Sequence, residues 1–244
     1  MDDVDTPYIF SKLKNKKTEI FTSTKINEIK SLRDLSQPLF TLRKKTLLIT
    51  ERDKFNGLYL VHSGLLKQSH IRKPGESEII THFFLPGDII GLDSICEHHY
   101  CGPVTSIETS SLSLIKFRNI DEYLIAQENH NKLLRVLSRS IRTEHARLWR
   151  TLSQPSDARL AYFLITMSNK FSELGYSPNA FRLAMSRQEI ANYLCMASET
   201  VSRIISRFEN EGLLSANRHD YFILDPIGLA TIAKKNRSSP NFSG

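Results

Sequence analysis

The chain has 244 residues, of which 40 % are hydrophobic and 24 % charged, with a formal net charge of +7. That balance allows two ordinary globular cores, excludes a disordered or fibrous chain, and suits a polyanionic partner such as nucleic acid. No apolar run approaches the roughly 20 residues of a membrane helix. The acidic start MDDVDTPYIF has no secretion-signal pattern, and three cysteines make no disulfide framework, so a cytoplasmic protein without membrane contact is expected.

Residues Met1 to about Gln37 are polar and Lys-rich, with a weak helical pattern at Ile26, Ile29 and Leu32. Short strands are expected next, at Thr46–Thr50, Leu58–Val61, Leu65–Ile71, Glu78–Phe84, Ile89–Ile90 and Leu112–Phe117. The turns His62-Ser63-Gly64, Lys73-Pro74-Gly75 and Pro86-Gly87-Asp88 separate them. Many short strands with regular turns predict a sandwich or jelly roll.

From Ile120 to Leu152 the period turns helical. Leu134, Leu137, Ile141, Leu148 and Leu152 form one narrow stripe, which fits either a coiled-coil seam between two copies or a helix packed on its own sheet. Glu144 falls where that seam is otherwise apolar, and two facing carboxylates would weaken a dimer. Pro155 stops the helix, because proline cannot continue the hydrogen-bond ladder. Ser153–Asp157 is the expected boundary. Arg159–Leu174 follows as a helix ended by Gly175. The expected division is a β-roll over residues 1–118, a dimerisation helix over 119–153 and a DNA-binding domain over 154–244.

The stretch AMSRQEIANYLCMASETVSRIISRFENEGLL carries the function. Ser186 and Glu189 have capping-box spacing and start a helix with Ile190, Ala191 and Leu194 inward. Cys195-Met196-Ala197 makes a tight turn. Ser198 caps a second helix that runs to Glu211 and stops at Gly212, with Val201, Ile204, Ile205 and Phe208 facing the core. Its other face presents Glu199, Thr200, Ser202 and Arg203. In a helix-turn-helix that face meets base edges in the major groove. An arginine suits guanine there and a glutamate suits cytosine. Glu199 and Arg203 either pair as i,i+4 surface charges or read neighbouring base pairs. Ser186, Arg187, Gln188, Ser198, Thr200 and Arg207 are the candidates for holding phosphates. Leu213–Ala216, the turn Asn217–Asp220 and Tyr221–Leu224 predict a hairpin wing.

This order of parts resembles the CRP/FNR family of bacterial regulators over nearly the whole chain from about Phe40. The motifs LYLVHSG (Leu58–Gly64), FFLPGDIIGLD (Phe83–Asp93), FRLAMSRQEIANYL (Phe181–Leu194) and SETVSRIISRFENEGLL (Ser198–Leu214) are most similar to its FNR branch. The resemblance implies an α+β fold: a cyclic-nucleotide-binding-like jelly roll, a long dimer helix and a C-terminal winged helix-turn-helix. It also implies a homodimer reading TTGAT-like paired half-sites through the pattern E-x-x-S-R, here Glu199, Ser202 and Arg203, with RNA polymerase as a partner. The CRP branch has an Arg before the Glu, where this chain has Ser198, and a Gly where it has Ser202.

No cofactor is expected. Cyclic-nucleotide-binding relatives have Glu after the glycine that corresponds to Gly91; here Leu92 follows. No Lys or Arg lies between Lys73 and Lys116 to meet a buried phosphate. The iron–sulfur relatives use an N-terminal cysteine cluster plus one barrel cysteine. This chain has no cysteine before Cys96, and Ser113 holds the barrel position. A haem-gated or a redox- or metal-gated sensor of the same fold is the alternative. Cys96, His98, His99 and Cys101 are weak metal candidates, because their spacing is not a standard zinc pattern. Cys195 stands where relatives often have Gly and is expected to be either slightly strained or oxidation-sensitive. The turns near Lys44–Lys45 and Arg52 also lack the glycines of relatives and are expected to differ locally. An enzyme is not expected: the chain has no nucleophile motif, Gly-rich phosphate loop or H-E-x-x-H pattern.

Overall fold

The computed structural model describes residues 38–71, 77–116 and 127–236. The expected lead-in segment, the turn at Lys73-Pro74-Gly75 and the expected helix start at Ile120 lie outside them.

Among the described residues eight short strands come first: β1 (Phe40–Leu42), β2 (Leu47–Ile49), β3 (Gly57–Ser63), β4 (Leu66–His70), β5 (Ile79–Phe84), β6 (Ile89–Ile90), β7 (Val104–Ser106) and β8 (Ser110–Lys116). They form two antiparallel sheets, ordered β1-β8-β3-β6 and β2-β7-β4-β5, the jelly roll that the strand pattern predicts. Ile49, Val61, Leu66, Phe84, Ile90, Tyr100, Val104 and Leu112 fill one core. Leu58 and Leu60 belong to a second cluster, with Ile89, Ile115 and Val136 of the following helix. β3 is therefore covered on both faces, which is why LYLV is a continuous apolar run rather than an alternating one. Gly64 turns the chain into β4 at φ 89, where an added Cβ would lie 2.3 Å from Ser110 Oγ. The turn at Lys44–Lys45 keeps left-handed backbone, with Lys45 at φ 62. A conformation that a glycine would favour is thus held by a residue with a side chain, at a cost in strain.

The long helix α1 (Gln127–Ser153) has 27 residues and spans about 40 Å. Leu133 and Val136 are buried at 8 % and 2 % exposure, while Leu134, Ile141, Leu148 and Leu152 are 61, 56, 56 and 68 % exposed. The sequence left two readings of its apolar residues open, and the helix has a face for each. Leu137 is half-buried at the margin. Glu144 is a correction: it turns towards its own β-roll, 3.4 Å from His82 Nδ1 and 2.9 Å from Arg147 Nε, and is not aligned with the exposed stripe.

Pro155 breaks the chain and, with ψ 162, serves as N-cap of α2 (Ser156–Glu173). The helix therefore starts three residues before the expected Arg159. The rest comprises β9 (Ala180–Arg182), α3 (Arg187–Tyr193), α4 (Ser198–Asn210), β10 (Leu214–Asn217), β11 (Asp220–Ile223) and α5 (Pro226–Ala233). The expected wing hairpin is present, with β9 as a third strand in the order β10-β11-β9. The core of this region is continuous with the β-roll: Leu65, Ile80, Phe83, Leu85 and Ile107 join Leu160, Leu164, Met167 and Ile190 in one cluster. The expected boundary at Ser153–Asp157 separates helices but not cores.

Candidate nucleic-acid interface

The helix-turn-helix is built as its spacing requires. Ser186 Oγ accepts from the Glu189 amide at 3.1 Å, and Glu189 Oε2 accepts from the Ser186 amide at 2.8 Å, which completes the capping box of α3. The Ser186 amide and hydroxyl are thereby engaged, which corrects their expected role as phosphate donors. Cys195 sits in the turn at φ 54, the left-handed strain that a non-glycine residue there implies. Arg159, 7 % exposed, lies beneath the turn and donates from Nη1 to the Leu194 carbonyl at 2.8 Å. That support was not legible in the sequence, where Arg159 is one more basic residue on an amphipathic helix. Val201, Ile204, Ile205 and Phe208 bury the inner face of α4, and Gly212 at φ 69 ends it.

The N-cap of α4 is Ala197, without a side-chain cap bond, and Ser198 is the first helical residue. This corrects the expected Ser198 cap; its hydroxyl donates instead to Glu199 Oε1 at 3.1 Å. Glu199 and Arg203 are exposed and Thr200 and Ser202 half-buried, all on the outer face of α4. Among the described residues Glu199 and Arg203 form no ion pair with each other, and both are exposed. At the start of α3, Gln188 is exposed and Arg187 half-buried. Arg207 is a correction: it is tied to Asp157 at 3.0 Å and to Glu211 at 3.7 Å, and so it braces α4 against α2.

The first helix of the motif is docked on the β-roll. Lys67 of β4 pairs with Glu78, and with Glu189 Oε1 at 3.1 Å. Burial pulls the Lys67 pKa down, but the two carboxylates outweigh it and hold it above its ordinary 10.5. Burial pushes Glu189 up, but the Ser186 and Lys67 hydrogen bonds hold it below its ordinary 4.5. Stabilisation by Glu189 is therefore fully present above pH 4.5 and is lost as pH falls through its lowered folded value. Stabilisation by Lys67 is fully present below pH 10.5 and is lost as pH rises through its raised folded value. The melting-temperature difference between wild type and Glu189→Gln should then be flat from about pH 5 to about pH 10 and shrink below about pH 4. A steady slope across neutrality would show that the bridge does not hold these charges.

A cavity of about 270 Å³ lies between the β-roll and the helices, lined among others by His70, His82, Asp93, Arg139, Glu144 and Lys170. Its two cations come from α1 and α2, outside the window from Lys73 to Lys116 in which the sequence has none. Lys170 is paired with Asp88 at 2.8 Å. Among the described residues no group of three or more His, Cys, Asp or Glu side chains is placed to hold a metal ion. Cys96, His98, His99 and Cys101 do not form such a group. No helix among the described residues is long and apolar enough to cross a membrane.

A jelly roll joined through one long helix to a winged helix-turn-helix with an open polar face defines a two-module DNA-binding regulator. Residues 39–126 match the cyclic nucleotide-binding domain family and residues 158–232 the Crp-like helix-turn-helix domain family. Transcriptional activator protein FnrA of Stutzerimonas stutzeri is 36 % identical over 212 residues, covering 86 % of each chain. The fumarate and nitrate reduction regulatory protein of Escherichia coli is 30 % identical over 213 residues, covering 87 % of this chain and 85 % of that one. The structure of FixK2 from Bradyrhizobium japonicum shares the fold, with a TM-score of 0.73 at 23 % identity over 81 % of this chain and 96 % of that one. The chain belongs to the CRP/FNR family of transcription regulators.

Proposed function

We propose that the chain acts as a homodimer that reads paired TTGAT-like half-sites through Glu199, Ser202 and Arg203, without a bound cyclic nucleotide or iron–sulfur cluster. The observation that carries this reading is the outer face of α4, where Glu199 and Arg203 stand exposed and unpaired with each other one helical turn apart. The exposed stripe of α1 supports the dimer, since two such helices place their recognition helices about 34 Å apart, one turn of DNA. Independence of an iron–sulfur cluster is supported by the cysteine count and by Ser113, which is buried and pairs with His62 Nε2 at 2.8 Å. RNA polymerase is the partner that the family implies.

The test is a titration of the ligand-free protein against a duplex with paired TTGAT half-sites and a scrambled duplex, at fixed near-physiological salt. Tight binding to the first alone is expected. Arg203→Ala should weaken it by about 1–3 kcal/mol per half-site and relax the base preference at one position. Equal affinity and an unchanged preference would remove Arg203 from the readers.

The 270 Å³ cavity favours a second reading, in which a small ligand there gates the same DNA-binding face. It lies just under the range of about 300–1,000 Å³ that drug-sized ligands occupy. An absorbance spectrum of the purified protein tests haem directly, and the ligand-free titration separates the two readings.

A further inference from the structure

We propose that Asn192 is a positioning residue for DNA reading: it acts as one residue of a missing strand and locks the helix-turn-helix to the β-roll edge. The inference rests on the reading of paired half-sites given above.

β5 is the outer strand of the sheet β2-β7-β4-β5. An outer strand leaves alternate backbone groups without a ladder partner, and the Glu78 carbonyl and the Ile80 amide are two residues apart on one edge. The Asn192 side chain meets both. Its Oδ1 accepts from the Ile80 amide at 2.7 Å, and its Nδ2 donates to the Glu78 carbonyl at 2.7 Å. A primary amide carries the same donor and acceptor as a peptide group, so Asn192 completes the edge as a neighbouring strand residue would. The two partners, one a donor and one an acceptor, fix which way the amide faces.

Asn192 lies near the C-terminal end of α3, and Glu189 ties the other end to Lys67 of β4. Next to Asn192, Tyr193 packs on Phe83 with ring centroids 5.0 Å apart. The helix is thus held at two points on one sheet. α3 packs on α4, and in this docked pose Glu199 and Arg203 remain exposed. The lock therefore favours reading and does not hide it. The β-roll also seats α1, through Val136 against Leu58 and Leu60. Asn192 thereby sets the angle between the recognition helix and the stripe that would pair two copies. One half-site tolerates an error in that angle, because the reading face moves as a unit. Two half-sites at fixed separation do not.

The experiment compares wild type, Asn192→Ala, Asn192→Asp and Lys67→Met in the full chain. It measures affinity for paired and for single half-site duplexes, and amide hydrogen exchange at Ile80. Asn192→Ala should weaken paired-site binding on the order of ten-fold, leave single-site binding unchanged and speed exchange at Ile80 while α4 stays protected. Asn192→Asp, close to isosteric, should be worse than Ala, because its carboxylate faces the Glu78 carbonyl without a proton to donate. Lys67→Met should shift paired-site binding in the same direction. Asn192→Asp equal to wild type, or Asn192→Ala equal or tighter, would overturn the proposal. If wild type fails to distinguish the paired duplex, the half-site reading falls by itself. Exchange at Ile80 then decides the lock: faster in Asn192→Ala with α4 protected supports it, and unchanged overturns it.

Discussion

Replacing Ile141 and Leu148 together by aspartate is expected to leave a folded monomer that binds paired half-sites at least about a hundred-fold more weakly than wild type. Both side chains are 56 % exposed in the single chain, so their loss removes little of its own core. In a dimer the same positions would be buried, and each carboxylate placed there costs several kcal/mol of desolvation. Binding at the second half-site would no longer be intramolecular, and the gain of about 10²–10⁴ from linking two binding events would go with it. Sedimentation should find wild type as the proposed dimer and the variant as a monomer, and circular dichroism of the two should be nearly the same. A variant that remains dimeric would move the interface off this stripe. A variant that is monomeric with unchanged affinity would break the link between dimer and DNA. Glu144 is left in place in this test, because it faces His82 and Arg147 of its own chain.

The difference between Ile141 and Glu144 shows where sequence reasoning stops. A seven-residue spacing gives the stripe, and the stripe is present as an exposed face. The side on which a marginal position falls depends on what the helix packs against, and here His82 of β5 draws the carboxylate inward. The same holds in the helix-turn-helix. Its capping box, buried faces and stop at Gly212 follow from local rules, since each is decided within a few residues. The docking of α3 does not follow from them, because Asn192 and Ile80 are 112 residues apart and an asparagine on a helix has no pattern of its own. The strands β1, β7 and β9 are not among the expected ones: three residues carry no period, and FTL, VTS and AFR lack the unbroken aliphatic run that marks β2 and β6. Helix α5 was missed although its signal was present: Asp225 caps Ile227 and Gly228 at 3.0 and 2.9 Å, and Pro226 follows it.

A buried ion pair spans the joint between the modules, and Asp88→Ala should destabilise the protein by about 3–5 kcal/mol. Asp88 Oδ2 accepts from Lys170 Nζ at 2.8 Å and from the Leu85 amide at 2.9 Å, with both charged residues under 9 % exposed. Removing the carboxylate leaves the buried ammonium of α2 without its partner and also frees a backbone donor in the turn before β6. The midpoint of urea unfolding should fall with its slope unchanged. Lys170→Met removes the stranded charge and keeps the apolar stem, so Asp88→Ala with Lys170→Met should cost clearly less than the two single changes added together. That non-additivity is the decisive readout, because it separates a paired charge from two side chains that merely fill space. Strict additivity would mean that Asp88 acts only through the Leu85 amide. Coupling would mean that α2, and α4 braced on it through Arg207 and Asp157, is anchored to the β-roll by this pair.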